Sequence, residues 1–542
     1  MQPIAAIAAR LDIPPQFLHA YGPHFAKVRL ELLDQLPAEP RGKLILVTAV
    51  TPTLYGEGKT VTTVGLTQAL DRIGKRVVAT LRQPSLGPVF GQKGGATGGG
   101  KSQVLPHDKI NLHFTGDFHA VAAAQNTLAA LIESHLYHGN ELGLDPHSID
   151  WPRAVDVNDR SLREIITGLG GRINGQPRQT GFVITAASEM MAILGLSQSL
   201  DDLRRRIGDI VLGTSKTTGA YVRARDLKAT GALMALLADA LHPNLAQTTE
   251  GTPVFVHTGP FANIAHGTAS AASLRLALRL ADYVVNETGF AADLGAEKFF
   301  DLVMPATGFR PAVAVLVATV RAVAAQSGKP ECNAATLAEG VANLDRHVEN
   351  TRNFGVPVVV AVNRFPNDDP ALLAWLQRHC EEKLGVACAH SDVYGGGGEG
   401  GRDLAEKVVA AAESTPGNPH SLYPPEMPLA EKIRTVATRI YRAGSVLFEP
   451  AAASRLRKIE EAGFGHLPVC MAKTQYSFSD NAKLPGAPSG FQLTISEVFL
   501  RGGAGFVTAV SGNIPLMPGL GKDPAAFHID VNASGDVTGL AV

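Results

Sequence analysis

Residues Thr51–Thr60, "TPTLYGEGKT", hold the parts of a phosphate grip. A phosphate-binding loop runs Gly, any four residues, Gly-Lys, then Ser or Thr. Gly58, Lys59 and Thr60 supply its end, while Thr53 stands where the first glycine belongs. Gly56 and Gly58 still let the backbone curl, so that N–H groups can face an anion. In such a loop Lys59 neutralises the β- and γ-phosphates, and the Thr60 hydroxyl reaches a magnesium ion. Thr53, Leu54, Tyr55, Gly56, Glu57, Gly58, Lys59 and Thr60 are therefore the candidate ATP-binding stretch. The alternative is a surface turn that contains Gly-Lys-Thr.

A second tract follows at once, "LRQPSLGPVFGQKGGATGGGKSQV" (Leu81–Val104), with six glycines between Gly91 and Gly100. A loop this long in a compact domain is more often functional than idle. Arg82 ends an expected strand, where α/β sheets place their ligands. Its guanidinium can grip a phosphate or acyl phosphate with two parallel hydrogen bonds.

The elements that must position these residues are legible as apolar runs. "KLILVTAV" (Lys43–Val50) is rich in branched residues, as a buried strand should be. "TVTTVGLTQALDRIG" carries helical spacing and stops at Gly74, and "KRVVATLRQP" is the next strand. Together they make a right-handed βαβ unit with the loop at its first turn. Further strands are expected in "QTGFVITAAS", "TPVFVHTG", "ADYVVNET", "AVAVLVATV" and "VPVVVAVNRF". Helical stretches lie between most of them, so the fold class is α/β: a phosphate-loop protein with a doubly wound, mostly parallel sheet and smaller α/β additions. The expected divisions are a helical segment over 1–42, a nucleotide-binding domain over 43–350, an α/β region over 351–420, and a smaller mixed α/β part over 421–542. "STPGNPHSLYPPEMP" (Ser414–Pro428) reads as a linker.

The bulk numbers exclude several classes. The chain has 542 residues, 45% of them hydrophobic and 18% charged, with a net charge of -1. That composition buries a large core and gives no global attraction to nucleic acid or an acidic membrane. No apolar stretch reaches membrane-helix length, and the N-terminus shows no long secretory apolar region. The four cysteines (Cys332, Cys380, Cys388, Cys470) are too few for a disulfide framework and lack metal-site spacing. They read as reduced, buried thiols of a cytoplasmic protein.

"TPTLYGEGKTVTTVGL", "LRQPSLGPVFGQKGGATGGG", "INLHFTGDFHAV", "GTPVFVHTGPFANIAHG", "DLGAEKFFD", "VLVATVRA" and "VCMAKTQYSFSD" closely resemble formate–tetrahydrofolate ligases, in that family's order. The likeness runs from "YGPHFAKV" to "MPGL", nearly the whole chain. It implies use of MgATP to convert formate to formyl phosphate, which the N10 amine of tetrahydrofolate then attacks. It implies a cytoplasmic homotetramer stimulated by a monovalent cation, potassium or ammonium. Lys59 matches the family's phosphate-loop lysine, and Arg82 its formyl-phosphate-binding arginine. Asp117, in "TGDFHA", matches a residue lining the active site. Phe365 and Tyr394 match two aromatics that sandwich the pterin. The chain departs from the family's usual residues at several positions. Leu54-Tyr55 stands for Pro-Ala, Gln83 for Glu, Thr258 for Gly, Lys101 for Tyr, and Tyr394 for Trp. These leave two alternatives open: a homologue that activates a carboxylate for another acceptor, or a non-catalytic nucleotide- or folate-binding relative.

Overall fold

The computed structural model describes residues 1–53, 56–91, 96–414 and 417–540. Its centre is a twelve-stranded sheet. Ten strands define its path. They are β1 (Leu18–Ala20), β2 (Ala26–Val28), β3 (Lys43–Ala49), β4 (Val77–Leu81), β5 (Asn244–Thr248), β6 (Pro253–Val256), β7 (Tyr283–Glu287), β8 (Pro311–Ala318), β9 (Val358–Asn363) and β10 (Ala387–Ser391). Their spatial order is β1-β2-β5-β6-β4-β7-β3-β8-β9-β10. From β6 to β10 every neighbouring pair is parallel. The β1, β2 and β5 edge is antiparallel.

The strands run continuously apolar because both faces of the sheet are covered. On β3, Leu44 and Leu46 point into the larger core, while Ile45 and Val47 point into a second core with Leu66 and Leu70. Leu66 and Leu70 belong to helix α1 (Lys59–Arg72), which connects β3 to β4. The helix stops as its sequence predicts. Lys75 N–H donates to the Leu70 carbonyl at 2.9 Å and Gly74 N–H to that of Asp71 at 2.9 Å.

Three stretches differ from expectation. Residues 1–42 are not a helical segment. Only Ile4–Ala9 is α-helical, and β1 and β2 follow as edge strands. Pro14 and Pro15 cannot continue a helix, and β2 finds partners in β1 and β5. "QTGFVITAAS" yields no strand of the central sheet: Gln179 and Thr180 end the strand Arg178–Thr180, which pairs with Ile165–Thr167, and Phe182–Ile184 pairs with Arg153–Val155, each in a separate ribbon. Cys332 is exposed, whereas Cys380, Cys388 and Cys470 are buried. Beyond residue 351, β9 and β10 continue the central sheet.

The C-terminal part builds its own sheet from β11 (Ser445–Phe448), β12 (Val469–Ala472), β13 (Gln492–Arg501) and β14 (Phe506–Ser511), in the order β11-β13-β14-β12. The turn after β13 is held by a buried acid from the first part of the chain. Glu189 accepts from the Gly503 and Ala504 N–H groups at 2.9 and 3.3 Å. Burial pushes this carboxyl up from about 4.5 to about 7, and Arg501 and the two N–H donors only partly oppose it. The folded chain therefore keeps a proton that the unfolded chain has released, and stability falls as pH rises from about 4.5 to about 7. Glu189→Gln keeps both acceptor bonds and removes the fall. We expect it to raise stability at pH 8, by up to about 3 kcal/mol, and to leave stability at pH 5 nearly unchanged. Thermal unfolding at the two pH values checks this; an equal shift at both would refute it.

Candidate active site

Strand order decides where side chains meet. After β3 the chain passes through α1 to β4, which lies two places away, with β7 in the slot between. The later strands β8, β9 and β10 extend the other side of β3. Crevices form at the carboxyl ends of strands where the order reverses in this way. There the ends of β3, β7 and β4 carry the Thr51–Gly58 loop, the Thr288–Phe290 turn and Arg82 side by side.

A cleft of about 270 Å³ opens at these ends. Arg82, Gln83, Asn263, Glu287 and Phe290 line it, with apolar walls from Pro88, Val89, Phe261, Pro515 and Leu516. The Arg82 Nη1 donates to the Pro260 carbonyl at 3.1 Å, and Nη2 lies 3.8 Å from Glu287 Oε1. Burial pushes the guanidinium below its ordinary value, and Glu287 works against that shift. It stays a cation throughout the physiological range. Among the described residues, four buried polar atoms of the lining have no hydrogen-bond partner: Arg82 Nε, Gln83 Oε1, Asn263 Oδ1 and Glu287 Oε2. Buried polar atoms left without partners are costly, so this lining suits a polar ligand.

Lys59 comes to the same place from β3. It opens α1, and its Nζ donates to the Phe290 carbonyl at 2.6 Å. The loop before it is tied from β9. Asn363 Nδ2 donates to the Glu57 carbonyl at 2.7 Å, and Asn363 Oδ1 accepts from Thr62 Oγ1 at 2.8 Å. Gly58 has φ of 70°, and a Cβ there would lie 2.7 Å from Asn363 Nδ2, so only glycine fits. Glu57 is buried and accepts from Thr53 N–H at 2.6 Å and Thr53 Oγ1 at 3.1 Å. Burial raises its pKa, and the Thr53 N–H works against this. Thr60 is half-buried in the first turn of α1. Leu54 and Tyr55 lie outside the described residues.

The turn after β7 serves both cations. Phe290 holds Lys59, and Gly289 packs on Arg82, whose Nη1 lies 2.8 Å from where a Gly289 Cβ would stand. Gln83 is buried beside Arg82, and its N–H donates to the Thr258 carbonyl at 2.6 Å.

The other expected residues lie apart from this cleft. Asp117 opens helix α2 (Asp117–Tyr137) and is buried. It accepts from Lys27 Nζ and from Asn244 Nδ2, each at 2.7 Å. Its neighbour Phe118 backs the cleft, with Cζ 2.6 Å from where a Gly259 Cβ would stand. Phe365 and Tyr394 follow the adjacent strands β9 and β10. The Arg321 guanidinium lies 4.9 Å from the Phe365 ring centre and 3.3 Å from Asp368. Tyr394 is 55% exposed, so its ring is open to a partner. Glu287, Phe290 and Gln475 line the cleft and were not singled out from sequence.

Fold and cleft together define a doubly wound α/β protein with two cations and several partnerless polar atoms gathered at its strand ends. A sequence profile of the formate–tetrahydrofolate ligases matches residues 1–541. The formate–tetrahydrofolate ligase of Granulibacter bethesdensis is 52% identical, covering 100% of this chain and 95% of that protein. Those of Maricaulis maris and Fervidobacterium nodosum are 54% and 51% identical, each over 100% of this chain and 98% of theirs. The chain belongs to the formate–tetrahydrofolate ligase family.

Gly289→Ala tests the shared turn. The new methyl group would stand 2.6 Å from Ala262 Cβ and 2.8 Å from Arg82 Nη1, so it pushes the turn and the guanidinium apart; losing one charged hydrogen bond to the anion should weaken ATP binding about tenfold by calorimetry. Unchanged affinity and an unchanged fold by circular dichroism would show that the turn does not set the position of Arg82.

Proposed function

We propose that this chain joins formate to tetrahydrofolate with ATP, by way of formyl phosphate, giving 10-formyltetrahydrofolate, ADP and phosphate. The observation that carries the reading is the meeting of Lys59 and Arg82 on consecutive residues of one turn, in a family member matched from end to end.

Formate is a poor electrophile until one of its oxygens is phosphorylated. In the first step a formate oxygen attacks the γ-phosphorus of ATP and ADP leaves. Lys59 neutralises the transferring group, and Arg82 grips it through the fork of its guanidinium. Charge developing on the phosphoryl oxygens meets fixed donors in a partly dry site, where they act most strongly. In the second step N10 of tetrahydrofolate attacks the formyl carbon, the carbon–oxygen bond to phosphate breaks, and the proton of the amine leaves with the released phosphate. The apolar walls of Pro88, Phe261, Pro515 and Leu516 keep water from the acyl phosphate between the steps.

The Thr53–Thr60 loop would cradle the ATP phosphates, and Thr60 would hold the magnesium ion, which supplies further charge neutralisation when bound. Phe365 and Tyr394 would stack the pterin. The Arg321 guanidinium lies over the Phe365 ring, 4.9 Å from its centre. Gln83 would meet the formyl phosphate or folate from beside Arg82. Asp117 would contribute through the Lys27 pair that anchors α2 behind the cleft. A monovalent cation, potassium or ammonium, a homotetrameric state and a cytoplasmic location complete the proposal. No helix among the described residues is long and apolar enough to cross a membrane.

The test is ADP release with MgATP, formate and potassium, with and without tetrahydrofolate, alongside acid conversion of the product to its absorbing methenyl form. Sustained ADP release and methenyl product, both dependent on tetrahydrofolate, are expected. ATP binding without methenyl product would overturn the proposal and favour another acceptor or a binding role. Arg82→Lys keeps the charge and loses the fork. It should lower turnover about a hundredfold, or about 3 kcal/mol; near wild-type turnover would remove Arg82 from its role.

A further inference from the structure

The C-terminal sheet reaches the cleft through two stretches: residues 514–518 after β14, whose Pro515 and Leu516 wall it, and a short stretch after β12. Gln475 lines the cleft, and Lys473, two residues before it, is fully buried. The Lys473 Nζ lies 3.0 Å from Asp293 Oδ2 and donates to the Thr474 carbonyl at 3.0 Å and to the Ser477 carbonyl. It also sits 4.8 Å from the Tyr441 ring centre. An ammonium has three protons, so each has an acceptor here. Asp293 lies three residues after Phe290, in the π-helical turn Ala292–Ala296. One ion pair therefore joins the loop bearing Gln475 to the turn that serves Lys59 and Arg82.

A second tie runs beside it. Thr51, just past β3, shares a hydrogen bond with His347 Nε2 at 2.9 Å and accepts from Asn343 Nδ2 at 2.9 Å. Asn343 Nδ2 also donates to the Gly486 carbonyl at 2.7 Å, and the His347 ring packs 4.6 Å from that of Phe478. The stretch 473–486 is thus fastened both to the turn after β7 and to the start of the candidate phosphate loop. Fold stability does not call for a buried ion pair in this place, since apolar groups of similar volume often serve as well or better.

We propose that Lys473 is a positioning residue for acyl transfer. Through Asp293 it locks the 473–486 stretch onto the 289–293 turn, so that Gln475 closes the cleft and formyl phosphate reaches the acceptor amine before water does. This rests on the ligase reading given above.

The test pairs K473M/D293N with Q475A. The double variant removes both charges together and leaves neither buried alone, so it should fold. Exchange of its backbone amides with deuterium should quicken about tenfold in both 474–486 and 289–296 as the lock opens. ADP formed per formyl product should rise from about one to about three or more as water gains access. Q475A keeps the ion pair. It should raise the same ratio without quickening exchange in 289–296, and it keeps the proposal open to refutation if the double variant does not fold. A folded double variant with wild-type exchange and wild-type ratio would overturn the proposal, and so would Q475A with a wild-type ratio. Exchange needs no turnover, so it judges the lock even if the wild-type chain makes no formyl product. That outcome would instead overturn the ligase reading.

Discussion

Two cations share one turn because β7 lies between β3 and β4. Lys59 arrives from the loop after β3, and Arg82 stands at the end of β4. Only the strand between them can offer a turn that touches both. The Phe290 carbonyl takes the ammonium, Gly289 leaves room for the guanidinium, and Glu287 balances part of its charge. Like charges brought to one turn repel unless an anion joins them. Among the described residues, Arg82 Nε, Gln83 Oε1, Asn263 Oδ1 and Glu287 Oε2 have no hydrogen-bond partner, so the protein leaves this polar lining incomplete. On the proposed reading, the transferred phosphoryl group completes it.

The rest of the chain holds that arrangement from a distance. Asn363 reaches from β9 to shape the loop more than 300 residues earlier, since it lies 306 positions from Glu57. Lys27 pairs with Asp117 to fix α2, whose Phe118 backs the cleft. Glu189 fastens the C-terminal hairpin, and Lys473 fastens the loop before it. Each tie is a polar group in a dry place that satisfies its partner's backbone or charge. Such ties specify one arrangement more than they add stability.

What was legible in the sequence was local. The strands β3, β4, β6, β7, β8 and β9 show as branched apolar runs, and Lys59 and Arg82 show because their chemistry sits at strand ends. β5 ("NLAQT") and β10 ("ACAHS") mix small and polar residues, so nothing in their periodicity announces a strand. They are strands because the sheet supplies neighbours on which to pair. The N-terminal segment carries helical composition, yet prolines and an available sheet edge override it. Glu287, Phe290 and Gln475 look ordinary in sequence, since their place in the cleft depends on strand order and on a second sheet. Asp117 was picked out by its motif, but its buried partner lies 90 residues away, a distance no local pattern spans.

The central claim is that Lys59 and Arg82 act on one anion through a shared turn. A double-mutant cycle on turnover with Lys59→Met, Arg82→Met and the pair tests it most directly. Groups that act as a unit lose most of their effect when either one is removed. The account predicts that the double variant is no more than about tenfold slower than the worse single variant. Losses that multiply in full would show two independent sites and contradict it.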